Sequence, residues 1–409
     1  MLSDVRSNGR IILSLDGAQP VKNEPSLWVF SDRLTGHVLL ARNLESAPAS
    51  KLEELLNEIE ALFGVSIAAI ISDKQKNIVN AVRAFNPEIP HVYCQYHFLN
   101  HVVEPIAAKD SHLKTILKKT VKSFSIVANS NKADSNELYK LFLPISEELK
   151  CAISTKGDRF KIFPGIECHA NLEHVLDQLV PFKVLNLPPR ISRSLAAVID
   201  SLSNLISETK HLREEIDSLL PEFKIIRDIF GKRSNRADFI KTQVDKWVYK
   251  IQSRLKRRSL EHDPSNIKWQ RPSYKLSIEE IWQQWIRLVK SYEKGLFIAY
   301  DDDELDFTNN AKERLFHRGK HHFRKLLGNE NISRIFLEHG GLYSKLIDLD
   351  YSPENVTNIL LASETPLTES HRAEFTAQYA TIKRTWRIRE IDTGNLALFE
   401  KQIRTLGAS

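Results

Sequence analysis

Hydrophobic and polar positions change period several times along this chain, and each period predicts an element. "RIILSLDG", residues 10–17, is a mostly apolar run carried by Ile11, Ile12, Leu13 and Leu15 and broken by Asp16-Gly17, which predicts a strand. "SLWVFS" and "HVLLARNL" predict a second and a third strand joined by the turn residues "DRLTG", making a three-stranded meander. In "SKLEELLNEIEALFG" the residues Leu52, Leu55, Leu56, Ile59 and Phe63 recur at helical spacing. Ser50 and Glu53 fit a capping box there, and Gly64 stands where a helix stops. "SIAAIIS" is a continuous apolar run, the pattern of a strand buried on both faces, and it ends at Asp73. A helix from about Gln75 to Phe85 and a short strand "HVYCQYH" complete the unit. Three strands, helix, strand, helix, strand predict an α/β fold with a mixed sheet flanked by helices.

From Phe98 to about Tyr300 the period is helical, with polar breaks such as "ANSNKADSN" and "EHDPSN". A large all-α domain is therefore expected to interrupt the α/β unit. Within it Ile278, Trp282, Trp285 and Val289 share one helix face and are expected to be core. The expected boundaries are 1–98 for the first part of the sheet unit and 99–306 for the helical insertion. Residues 307–345 return to the sheet unit, and 346–409 form a C-terminal helical tail.

Composition narrows the class only a little. The chain has 409 residues, 42% hydrophobic and 27% charged, an ordinary globular balance and enough for two or three folding units. A formal charge of +6 from 58 basic and 52 acidic residues is a weak hint of a polyanionic partner. Three cysteines, Cys94, Cys151 and Cys168, without regular spacing argue for a reducing compartment and against a disulfide framework. No apolar run approaches the ~18 residues of a membrane span, and "MLSDVRSNGR" has no signal-peptide core, so a cytoplasmic protein without membrane contact is expected.

The chemistry begins with two aspartates. Asp16 ends the first strand and Asp73 the fourth, and if those strands are neighbours the carboxylates lie close together. Such oxygen-only donors suit Mg²⁺ or Mn²⁺, although each Asp alone is also a common turn or helix-cap residue. A third acid stands in "DFTNNAKERLFHRGKHHFRKLLG". At ~100° per residue, Glu313, His317, Lys320 and Arg324 fall on one narrow stripe while Leu315, Phe316, Gly319, Phe323 and Leu326 fall on another arc. A charged stripe is usually a solvated face. Here an acid precedes a column of basic groups, and Thr308, Asn309 and Asn310 can cap the helix start. The acidic run "DDDELD", residues 301–306, competes for the role and ranks lower because it reads as a flexible, hydrated loop.

Taken together, "SLDGAQP", "ISDKQKNIVNAVRAFNPEIPHVYCQYHF" and "TNNAKERLF" resemble the DDE transposases of bacterial and archaeal insertion sequences, in particular the Mutator-like group with a ribonuclease H-like catalytic core. That group carries an Asp on the first strand and a second Asp ending the fourth, followed by a C-x2-H signature. An all-helical insertion then precedes a Glu in a "TNN" helix start. The resemblance runs from Asp16 to the helix after Glu313. It implies that Asp16, Asp73 and Glu313 hold two divalent ions about 4 Å apart, clamping the oxygens of an in-line displacement at a phosphodiester. Water frees a 3′-hydroxyl at the element end, and that hydroxyl attacks target DNA. DNA, both transposon ends and target, is the implied partner, with a homodimer or higher oligomer assembled on it in a nucleoid-associated location.

Two features depart from the group. The segment before Ile11 has no room for an N-terminal helix-turn-helix, so the chain is expected to be a clipped or decayed copy or to bind DNA through other parts. Lys74 stands where many relatives have Gly. Cys94 and His97 are too few for a structural zinc site, which normally has four ligands. Cys94 is expected to pack, and His97 to lie beside the acids, contacting the scissile phosphate or orienting Asp73. Backbone phosphates are assigned to Lys250, Arg254, Lys256, Arg257 and Arg258 and to Lys383, Arg384, Arg387 and Arg389, with solvated helix faces as the alternative. Trp386, among the last four, either stacks on an unpaired base or anchors its helix. The competing functions are a truncated or inactive transposase-derived DNA-binding protein and a general ribonuclease H-type nuclease.

Overall fold

The computed structural model describes residues 2–19, 25–124, 137–158, 160–184, 189–232, 236–259 and 272–309, together with Phe316, His321, Arg324 and Lys325. All belong to one compact unit, Met1–Leu337. After a short helix α1 (Leu2–Ser7) come β1 (Ile11–Ala18), β2 (Ser26–Asp32) and β3 (Val38–Leu44). Then follow α2 (Ala49–Phe63), β4 (Ile67–Ser72), α3 (Lys76–Phe85) and β5 (His91–Tyr93). The expected α/β class with a mixed sheet is what the chain forms. Its strand order is β3-β2-β1-β4-β5. β1 pairs antiparallel with β2 and β2 with β3, whereas β4 runs parallel to both β1 and β5.

The meander closes tightly because Asp32, fully buried at the end of β2, accepts from the backbone N–H of Ile12, Leu34 and Thr35 and from the Thr35 hydroxyl. This carboxylate is spent on the turn. α2 stops at Gly64, whose φ of 68° is the left-handed conformation expected there. Its start differs from expectation. The helix begins at Ala49 after Pro48, which places Ser50 inside the first turn, where its hydroxyl makes no cap. The capping box forms instead on a later helix, between Ser277 and Glu280.

A second correction concerns "HVYCQYH". The strand ends at Tyr93, and α4 (Gln95–Ser123) begins two residues later. The buried residues Phe98, Val102, Ile106, Leu113, Leu117 and Val121 repeat with a helical period and draw this stretch into the helical core. The other helices are α5 (Glu137–Ala152), α6 (Pro164–Leu179), α7 (Pro189–Phe230), α8 (Ala237–Ser259) and α9 (Ile278–Leu296). α4 packs on α6 and α7, and α9 packs on α4 and α8. Trp282 and Trp285 are core, as expected, and Trp285 stacks on Trp247 at 5.6 Å while its indole N–H donates to the Val102 carbonyl at 2.8 Å. The breaks "ANSNKADSN" and "EHDPSN" lie outside the described residues. Among the described residues no helix is long and apolar enough to cross a membrane.

Side chains alternate across the sheet, and the alternation decides where the site can be. Ile11, Leu13 and Leu15 of β1 and Ile67 and Ile70 of β4 pack with α2 and α3. Ile12, Ala69 and Ile71 face the other way, against Ala299 and Leu305 of the chain returning from α9. By the same parity Ser14, Asp16 and Asp73 belong to the second face.

Candidate functional site

The register of β1 on β4 pairs Ile12 with Ala69, Leu13 with Ile70 and Ser14 with Ile71. Two residues beyond that pairing come Asp16, still within β1, and Asp73, the first residue after β4. Both carboxylates are largely buried, at 7% and 8% exposure. Asp16 Oδ1 accepts the N–H of Gly17 at 2.8 Å, and Asp73 Oδ1 accepts that of Gln75 at 3.4 Å. Gly17 has a local reason to be glycine: a Cβ there would come within 2.8 Å of the Trp28 ring on β2. Burial raises the pKa of Asp73, and the Gln75 N–H and the His101 imidazole offset part of that rise. A buried carboxylate whose charge its surroundings disfavour, as at Asp73, is one that a divalent cation would relieve.

The chain returning from the helical part is tied to this end of the sheet. The Phe307 carbonyl accepts the N–H of Gln95 at 2.9 Å, and the Gln95 side chain reaches the Leu296 carbonyl and the Tyr300 hydroxyl. Asn309, 1% exposed, accepts from the Ser14 hydroxyl and donates through Nδ2 to the Leu15 carbonyl at 2.9 Å. Its backbone N–H donates to Cys94 Sγ at 3.1 Å. Its side chain is thus engaged by β1. Glu313, four residues further on, and the helix start at 310–315 lie outside the described residues. Phe316 is helical and buried and Arg324 helical and exposed, on the sides the periodicity assigns them, whereas His317 and Lys320 lie outside.

Cys94 is fully buried as the residue before α4, and its sulfur serves the Asn309 amide. The other adjacent Cys-His pair is separate: Cys168 belongs to the helical core, and His169 is held by Arg213 and Glu173. Among the described residues no group of three His, Cys, Asp or Glu side chains could hold a metal ion. His97 lies on the first turn of α4, half-buried, and burial lowers its pKa.

Sequence reasoning missed two residues next to Asp73. His101, one turn beyond His97, is near enough to influence the Asp73 carboxylate, and its ring lies 6.4 Å from that of Tyr292 on α9. Tyr292 is 4% exposed, and burial together with the Asp73 charge pushes its pKa well up. The i, i+4 repeat of His97 and His101 is the one local sign of the first. Nothing in the local pattern marks the second, since Tyr292 is 219 positions from Asp73 only through a chain that folds back.

The run "DDDELD" is exposed at residues 301–304, as expected of a hydrated loop, but it is tied to the rest of the unit. Glu304 pairs with Arg10, Asp306 with Arg33, and Asp301 accepts the N–H of Ala237, while Leu305 is buried against the sheet. Of the basic residues assigned to DNA, Lys250 and Arg254 both pair with Glu222, at 3.0 and 2.5 Å, and Glu222 is 1% exposed. Arg258 pairs with Glu279 at 2.6 Å and lies over the Trp282 ring. Lys256 and Arg257 are exposed. Lys383, Arg384, Trp386, Arg387 and Arg389 lie outside the described residues.

No protein-family model matches the chain, and no curated protein matches it.

Proposed function

We propose that the chain is a DNA transposase of the DDE type, built on a ribonuclease H-like core with a helical insertion, that cleaves phosphodiesters at element ends and joins them to target DNA. One observation carries the reading. Asp16 lies near the end of β1 and Asp73 directly follows the neighbouring parallel strand β4, both largely buried, and the "TNN" segment that leads to Glu313 is bonded through Asn309 to the residues just before Asp16. These contacts support the convergence that the resemblance requires, with Glu313 itself outside the described residues. The helical stretch between β5 and residue 297 supports the insertion part of the reading.

The donor set fits Mg²⁺ or Mn²⁺, since it offers hard carboxylate oxygens and the neighbouring Cys94 sulfur is already engaged by an amide. When bound, two such ions supply neutralisation of phosphate charge and a more acidic water or hydroxyl. Asp16 and Asp73, with Glu313, would hold them. His97 would donate a ring N–H to a phosphate oxygen. Positioning and charge, not a covalent enzyme intermediate, then provide the rate.

The test uses the full chain with Mn²⁺, a supercoiled plasmid, and a short duplex bearing a free 3′-hydroxyl. Nicking and joining of the duplex to the plasmid are expected, and both should vanish in Asp16→Asn and Asp73→Asn. Hydrolysis without joining would favour a general nuclease. DNA binding without either reaction would favour an inactive transposase-derived protein.

A further inference from the structure

Lys74 directly follows Asp73, in the turn between β4 and α3, and its surroundings are unusual for a lysine. It is half-buried, and its ammonium lies 5.0 Å from the centre of the Tyr292 ring. Among the described residues no carboxylate lies within ion-pairing distance of it. Lys109, by contrast, is buried and donates to Glu215 at 2.7 Å and to the Tyr274 carbonyl.

The ring beneath it is fixed. Tyr292 meets Phe98 at 5.4 Å and Tyr93 at 5.8 Å, both edge-on. Three residues later α9 presses on β5 at Gly295, where a Cβ would stand 2.4 Å from the His91 carbonyl oxygen. The lysine head is therefore set over an immobile aromatic face beside the acid pair, not carried on a free surface tether. Among the described residues this cation has no carboxylate within ion-pairing distance, so a phosphate oxygen has room to become its counter-ion.

We propose that Lys74 binds a backbone phosphate of nucleic acid beside the Asp16–Asp73 pair, with the Tyr292 ring setting the position of its ammonium. Lys74 is then a phosphate-binding residue of the proposed cleavage site, and the inference rests on that reading for its place. A structural alternative exists, in which the ammonium only braces α9 through the ring.

The two separate in a binding experiment without catalysis. Duplex oligonucleotide affinity is measured across a salt series in Ca²⁺ for the wild type, Lys74→Gln and Lys74→Arg, with thermal melting of each. One lost phosphate contact should lower the slope of log K against log salt by about 1 and weaken binding several-fold, with Tm unchanged and Lys74→Arg near wild type. A Lys74→Gln protein with wild-type slope and affinity overturns the proposal, whether or not its Tm falls. So does a wild type that binds no duplex. If the slope falls as expected but no variant or wild type nicks DNA, the phosphate contact stands and the transposase reading is what fails.

Discussion

Asn309 donates through its side-chain amide to the carbonyl oxygen of Leu15 at 2.9 Å, across 294 positions of chain. The same side chain accepts from Ser14, so one buried amide fastens the end of the helical part to the strand that carries Asp16. Cys94 completes the fastening by accepting the Asn309 N–H, which gives the cysteine of the C-x2-H pair a structural task without metal.

Asn309→Ala should remove two buried side-chain hydrogen bonds and leave the Ser14 hydroxyl without its partner, at a cost of about 1–3 kcal/mol. Urea unfolding measures the loss. Nicking should fall further than stability alone explains, because the approach to Glu313 is set from this point. Unchanged unfolding together with unchanged nicking would show that the clamp does nothing.

Asp73→Asn should abolish cleavage without weakening the fold. Burial raises the Asp73 pKa, so between its ordinary and its raised value the folded chain binds more protons than the unfolded one, and stability of the metal-free protein falls as pH rises through that window. The asparagine variant escapes this loss. Melting in chelator should give a Tm for Asp73→Asn at or above wild type at pH 7, with the difference closing as the pH is lowered below the carboxylate range.

The strands were legible because their apolar runs are short and β-rich. β1 nevertheless runs through Asp16 and Gly17 to Ala18, past the expected break, because these residues pair with Val29, Trp28 and Leu27 of β2, and the parallel pairing of β1 with β4 was only a condition in the sequence reading. The end of β5 was not legible locally, since "HVYCQYH" suits a strand until the helical repeat from Phe98 onward claims it. Ser50 and Glu53 mimic a capping box that Pro48 displaces, whereas the box at Ser277 and Glu280 went unread. Asn309, Gln95 and Tyr292 owe their roles to contacts between distant segments, which no local period encodes. The acids of "DDDELD" are solvated as their pattern suggests, and only their pairing with Arg10 and Arg33, from distant segments, was not legible.

The basic stretch of α8 divides into two kinds of residue, and mutation should separate them. Lys250 and Arg254 balance the buried Glu222, so Arg254→Ala or Glu222→Gln should cost stability, about 1–3 kcal/mol for the glutamine, with the half-exposed partners moderating the loss. Arg257→Glu should leave unfolding unchanged and weaken duplex binding. Filter binding beside urea titration distinguishes the two kinds. Equal effects of both on DNA would contradict the division.

Gly295→Ala should force α9 off β5, because the new methyl meets backbone, the His91 carbonyl, at 2.4 Å. Overpacking of this kind costs about 1–3 kcal/mol. Displacement of Tyr292 should accompany it, visible as a change in near-ultraviolet circular dichroism. An alanine variant as stable as wild type would mean that the helix approaches the strand less closely.

The central claim is that Asp16, Asp73 and Glu313 act on one cation site. Its most direct test is a titration of Mn²⁺ into the full chain, with free Mn²⁺ followed by electron paramagnetic resonance, for the wild type and for Asp16→Asn, Asp73→Asn and Glu313→Gln. The account predicts saturable binding by the wild type that each single substitution weakens at least about tenfold, the loss of one charged ligand being worth ~1.4 kcal/mol or more. Undiminished Mn²⁺ binding by Glu313→Gln, with the two aspartate variants impaired, would contradict it.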